Sequence, residues 1–119
     1  MARILYVLAH STEAPDRATA ALATALAAQR AGHDAAFWLT GEGARLGVKG
    51  VAETLNEPYP ETAATMRDAL LAGGATFHIE AHAFAARQYA PEAVLAGAVV
   101  ADGAQLATLL DEGWQAVTL

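Results

Sequence analysis

His78, Glu80 and His82 stand at alternate positions and form the pattern in this sequence best suited to chemistry. Strand side chains point alternately to opposite faces, so these three would share one face while Phe77, Ile79 and Ala81 share the other. A carboxylate beside an imidazole can orient it as a general acid or base near neutral pH. Two imidazoles and a carboxylate can also hold zinc or another divalent metal with one position left open. His10 ends the first apolar run and joins the set if both segments reach the same sheet edge. The candidate catalytic and metal-binding residues are therefore His10, Glu80 and His82. The spacing matches no established metal motif. The plain structural alternative puts this face at a subunit contact or pocket rim, its polar groups bonded to neighbours.

A second group of residues suits ligand binding. Ser11 and Thr12 precede a helix whose first N–H groups could receive an anion, with Arg17 adding charge, although such residues more often serve as caps. Arg87 could reach a ligand or a neighbouring subunit, or form a structural ion pair. With Glu42, these give a ligand-binding set of Ser11, Thr12, Glu42 and Arg87. Gly41-Glu42-Gly43 lacks the third glycine of a dinucleotide-binding turn and serves the chain reversal instead. Ser11 beside His10 has no nucleophile-elbow sequence around it. His33 suits a helix C-terminus. Tyr59, between two prolines, could cover a pocket or anchor a connection, and Trp38 and Trp114 suit a core or an interface.

Composition narrows the choice of partner. The formal net charge of −6 disfavours nucleic acid and anionic membrane surfaces, which leaves a small molecule or a protein. There is no cysteine, so disulfides, thiolate ligands and any persulfide on the chain itself are excluded. Hydrophobic residues make up 55% and charged residues 17% of 119 positions, apolar for one small domain, which points to surface covered by another subunit. Ile4 to Ala9 is too short for a signal-peptide core and no stretch reaches the length of a membrane span, so a cytoplasmic location is expected.

The elements that must position these residues alternate. Arg3 to Ala9, Asp34 to Thr40, Ala75 to Ala81, Ala98 to Ala101 and Trp114 to Leu119 read as strands. Helices are expected from Pro15 to Gly32, from Pro60 to Gly73, briefly from Phe84 to Gln88, and from a capping box at Asp102 to Gly113, with Pro91 to Ala96 leading into the fourth strand. The result is a single domain over residues 1–119. Its expected fold is a three-layer α/β/α arrangement of a mainly parallel five-stranded sheet with helices on both faces. Ligands of such sheets gather at the carboxyl ends of the strands, next to His10–Pro15, Thr40–Leu46, Ala81–Gln88 and Ala101–Gln105.

Several stretches resemble DsrE/DsrF-like (YchN-like) proteins. They are the run from Arg3 to Thr12, Pro15-Asp16-Arg17-Ala18 opening an alanine-rich helix, Ala31-Gly32-His33, and Phe37 through Gly43. In the second half they are Gly74 through Ile79, Ala85-Ala86-Arg87, and Val100 through Leu110. The resemblance covers nearly the whole chain and implies a homo-oligomer, a trimer or a hexamer of paired trimers. In sulfur-relay members it implies a persulfide-bearing cysteine just after the third strand. Here that loop reads Ile79-Glu80-Ala81-His82-Ala83-Phe84, with Glu80 and Ala83 at the matching places.

Two classes of function follow. One is a thiol-free accessory or ligand-binding subunit that docks a sulfur-transfer protein or a small anion. The other is an enzyme using metal or acid–base chemistry at His10, Glu80 and His82.

Overall fold

The structure, a computed structural model, describes residues 1–119. Five strands, β1 (Arg3–Leu8), β2 (Asp34–Leu39), β3 (Thr76–Glu80), β4 (Ala98–Ala101) and β5 (Gln115–Thr118), form one sheet in the order β4-β3-β2-β1-β5. Every neighbouring pair is parallel. Between them lie α1 (Pro15–Arg30), α2 (Ala63–Ala72), α3 (Ala81–Ala86) and α4 (Gly103–Asp111), with short 3-10 turns at Gly41–Gly47, Ala52–Thr54 and Pro91–Ala93.

The order of strands explains the layers. From β1 to β4 the chain steps across the sheet in one direction, and from β4 to β5 it returns past all the others. Crossovers of one hand then fall on opposite faces, the first set under α1 and α2 and the last under α4. Tyr6, Leu8, Phe37, Leu39, Phe77 and Ile79 alternate along β1 to β3 and enter the larger core with Leu22, Leu26, Met66 and Leu70. Phe37 sits at its centre, with ring centroids 5.3 Å from Tyr6 and 4.8 Å from Phe77. The opposite face holds a small core of Leu5, Ala36, Trp38 and Leu109. A sheet covered on both faces needs apolar residues at successive positions, which is why β1 and β2 read as continuous hydrophobic runs.

Two regions differ from the sequence reading in ways that bear on the site. The second long helix begins at Ala63 rather than Pro60, because the Thr62 hydroxyl accepts the Thr65 N–H at 3.1 Å and caps it there. The third strand stops at Glu80, and a helix starts at Ala81 rather than Phe84. The long connection after β2 is anchored by Arg67 of α2, 4% exposed, which grips Glu53 through two hydrogen bonds of 2.8 and 2.9 Å. That pairing lowers the Glu53 carboxyl to about 2. No helix is long and apolar enough to cross a membrane.

Candidate functional site

The carboxyl ends of β1 and β3 lie at one edge of the sheet, since all strands are parallel. His10 follows β1 there. Its Nδ1 lies 3.2 Å from Glu13 Oε2, while Glu13 Oε1 accepts the Ser11 N–H at 2.6 Å. Glu13 thereby closes the turn on itself and holds the imidazole.

Glu80 has a different task from the one its spacing suggested. It is the cap of α3: one carboxylate oxygen accepts the His82 N–H at 2.6 Å and the other the Ala83 N–H at 3.1 Å. Extended geometry ends there, so the two-residue alternation that would have aligned His78, Glu80 and His82 is broken. His82 stands on the first turn of α3 with its side chain 96% exposed and its Nδ1 3.2 Å from Glu80. His78 remains on the strand, 7% exposed and stacked against Trp38 under the α4 side of the sheet. Burial lowers the His78 imidazole below its ordinary value, and its Nδ1 has no hydrogen-bond partner.

The shared polar row is therefore divided in two: Glu80 and His82 pair at the sheet edge, and His78 lies apart against Trp38. No three His, Asp or Glu side chains gather as a set of metal ligands, so the structure does not bring His10, Glu80 and His82 together as a zinc site. What the edge presents instead is two imidazole–carboxylate pairs, His10 with Glu13 and His82 with Glu80.

The ligand-binding candidates divide as well. Glu42 and Arg87 meet: Arg87 Nε and Nη2 donate to Glu42 Oε2 at 2.9 and 2.6 Å, and Arg87 Nη1 donates to the Ala83 carbonyl at 2.9 Å. Arg45 donates to the other Glu42 oxygen at 3.1 Å and to the Tyr89 hydroxyl at 2.9 Å. Hydrogen bonds from Arg87, then from Arg45, hold the Glu42 carboxyl below the usual carboxylate range. Two guanidinium groups on one carboxylate leave one positive charge in excess and fasten the turn after β2 to the end of α3. Sequence reasoning missed Arg45 and Tyr89. Arg45 lies three residues after Glu42, a helical-turn spacing that could have signalled it, but Tyr89 carried no local signal.

Ser11 is fully buried with its hydroxyl unpartnered, while Thr12 is exposed. Neither caps α1. Ala14 occupies the cap position, no side chain caps it, and Pro15 opens the helix. His33 accepts the Ala2 N–H at 3.0 Å and pins the start of β1 to β2. Tyr59 lines an open apolar groove with Leu26 and Met66, and Trp114 lies under the Arg3 guanidinium at 4.5 Å. Gly43 is required by close approach, since a side chain there would collide with the Leu8 carbonyl at the end of β1.

Comparison with known proteins agrees over the whole length. The model of the DsrE/DsrF-like family matches residues 2–119. The crystal structure of the ychN protein from E. coli superposes with a TM-score of 0.81 at 15% sequence identity, covering 100% of both chains, a likeness of fold. No curated protein matches.

Proposed function

The chain belongs to the DsrE/DsrF-like family, related to sulfur-relay proteins, and on that premise we propose that it is a cytoplasmic, single-domain, thiol-free accessory subunit of a homo-oligomer. Its segment from Glu80 to Arg87, helix α3 with its two caps, docks a sulfur-transfer protein or a small anion without carrying sulfur. One observation supports this reading above the others. At the place where the resemblance expects a cysteine, Glu80 supplies a carboxylate that takes the second and third N–H groups of α3, those of His82 and Ala83. The helix start that could favour a sulfur anion is already satisfied by the chain's own negative charge.

The loop is also fastened at its far end by Arg87 and Glu42. A segment held at both ends loses little freedom on docking, which favours recognition of a partner. His82 projects from its first turn, 96% exposed and available for contact. Of the pair Ser11 and Thr12, only the exposed Thr12 could face an anion at the same edge, because Ser11 is fully buried. Binding of a persulfide-bearing sulfurtransferase, measured by calorimetry, tests the proposal. Wild type should bind and His82→Glu should bind at least about tenfold more weakly. Equal affinity of the two proteins would count against this loop as the docking surface.

A second reading rests on the two imidazole–carboxylate pairs at the same sheet edge. His10 with Glu13 and His82 with Glu80 have the composition of acid–base dyads. Under that reading His82→Ala would abolish a turnover while leaving ligand affinity intact. Under the preferred reading it lowers affinity and there is no turnover to lose.

A further inference from the structure

The positive charge left over around Glu42 is concentrated on one guanidinium. All three nitrogens of Arg87 are engaged within the chain, Nε and Nη2 by Glu42 and Nη1 by the Ala83 carbonyl. Arg45 is held differently. Its Nε donates to Glu42 and its Nη1 to the Tyr89 hydroxyl, but its Nη2 makes no hydrogen bond within the chain, and its side chain is 32% exposed. The Tyr89 hydroxyl accepts from Arg45 and has no acceptor in the chain for its own proton. Two adjacent donors, a guanidinium Nη2 and a phenol O–H, are thus left without acceptors beside a net positive charge.

The fold holds this pair in place. Arg45 belongs to the 3-10 turn Gly41–Gly47, and Tyr89 follows α3. The Tyr89 ring packs against Phe84 of α3 with centroids 6.3 Å apart, and the Arg45 Cζ lies 5.8 Å from the Tyr89 ring centroid. Gln88 makes the turn that brings Tyr89 back to Arg45, and its φ of 58° is the one positive value at a residue other than glycine. Such a conformation is uncommon for a side chain of this size and gathers at functional sites. A guanidinium already fixed by a carboxylate and a hydroxyl loses little freedom when a further acceptor arrives.

Chemistry names the missing acceptor. A guanidinium edge beside a phenol O–H receives oxygen atoms, and the single positive charge that Glu42 leaves over is neutralised by one carboxylate. The next turn adds no net charge, because Lys49 and Glu92, brought close where the Lys49 N–H meets the Ala93 carbonyl, bear opposite signs. A free carboxylate on an open surface competes poorly with water, and a chain of net charge −6 repels anions over most of its surface. A carboxylate carried on a protein is instead brought to the pair by the rest of the contact. Resting on the docking reading above, we infer that Arg45 and Tyr89 receive an aspartate or glutamate side chain of the docked sulfur-transfer protein and so set its orientation on α3. Arginine and tyrosine are also the residue types that most often anchor contacts between proteins.

Calorimetric titration of a persulfide-bearing sulfurtransferase into wild type, Arg45→Met, Arg45→Lys and Tyr89→Phe, repeated across sodium chloride concentrations, tests the inference. All four proteins are first compared by far-ultraviolet circular dichroism. Arg45→Met should bind at least about tenfold more weakly than wild type and with a shallower dependence on salt. Tyr89→Phe should bind about threefold more weakly with the salt dependence kept. Arg45→Lys, which keeps the charge and loses the fork, should recover the salt dependence and only part of the affinity. If Arg45→Met fails to fold, Tyr89→Phe, which loses only a hydroxyl, carries the test. Sodium formate added to the chain alone should give no saturable shift of the Arg45 Nε–H resonance; saturable binding of formate would assign the pair to a free anion and overturn the inference. Affinity equal to wild type in folded Arg45→Met, or failing that in Tyr89→Phe, overturns it and leaves docking at α3 standing. Absence of wild-type binding overturns the docking reading, and this inference with it.

Discussion

Arg87 donates two hydrogen bonds to a single oxygen of Glu42, at 2.9 and 2.6 Å, and so ties the loop after β3 to the turn after β2. Both residues come from the ligand-binding set read in the sequence, and each is the other's nearest partner. Arg87→Ala should therefore free the loop before it touches the fold. Hydrogen exchange of the amides from Ala83 to Gln88 is expected to accelerate, with the amides of β1 and β2 unchanged. Uniform acceleration across the sheet would show that the pair supports the whole domain instead.

Glu80→Ala removes the cap of α3 and leaves two N–H groups without acceptors. The expected loss is about 1 kcal/mol in denaturant unfolding, with Glu80→Asp, a good cap, losing less. An unchanged unfolding midpoint in Glu80→Ala would mean the carboxylate contributes nothing to the loop.

Ser11→Ala should hold or raise stability, because the hydroxyl is fully buried and unpartnered. Removing an unsatisfied polar atom gains up to about 1 kcal/mol, read as a rise of roughly 4 °C in the melting midpoint. A clear fall in the midpoint would reveal a hydrogen bond that the buried hydroxyl makes in solution.

Acid should weaken the fold in two stages. The His78 imidazole is lowered from 6.5 by burial, so the unfolded chain takes up a proton first and stability declines as pH falls below about 6.5. The Glu53 carboxyl is lowered from 4.5 to about 2 by Arg67, so its contribution is complete above 4.5 and lost as pH falls toward 2. His78→Leu should remove the upper stage, and Glu53→Gln should reduce the lower one, to which the lowered Glu42 carboxyl also contributes, in unfolding curves recorded across pH. Arg67→Met, which strands Glu53, should cost about 2 kcal/mol at neutral pH and little at pH 2.

The fold was legible because its signals are local. Apolar runs for β1 and β2, Pro15 at a helix start, Gly73-Gly74 behind another and the Asp102 cap each act within a few residues, and alternation of strand and helix then dictates parallel pairing. The site was less legible for two physical reasons. His78-x-Glu80-x-His82 fits a strand pattern, but the alanines at 81, 83, 85 and 86 favour helix, and Glu80 caps that helix instead of continuing the strand. Arg45 with Tyr89, 44 residues apart, and Glu42 with Arg87, 45 apart, meet only once the sheet has formed. No periodicity records a contact of that kind.

The most direct test of the account is a titration of a persulfide-bearing sulfurtransferase into the wild-type chain, with the masses of both proteins read before and after. Saturable binding is expected, weakened by Arg87→Ala or His82→Glu, with the sulfur still on the sulfurtransferase at the end. No binding, or sulfur found on this cysteine-free chain, would contradict it.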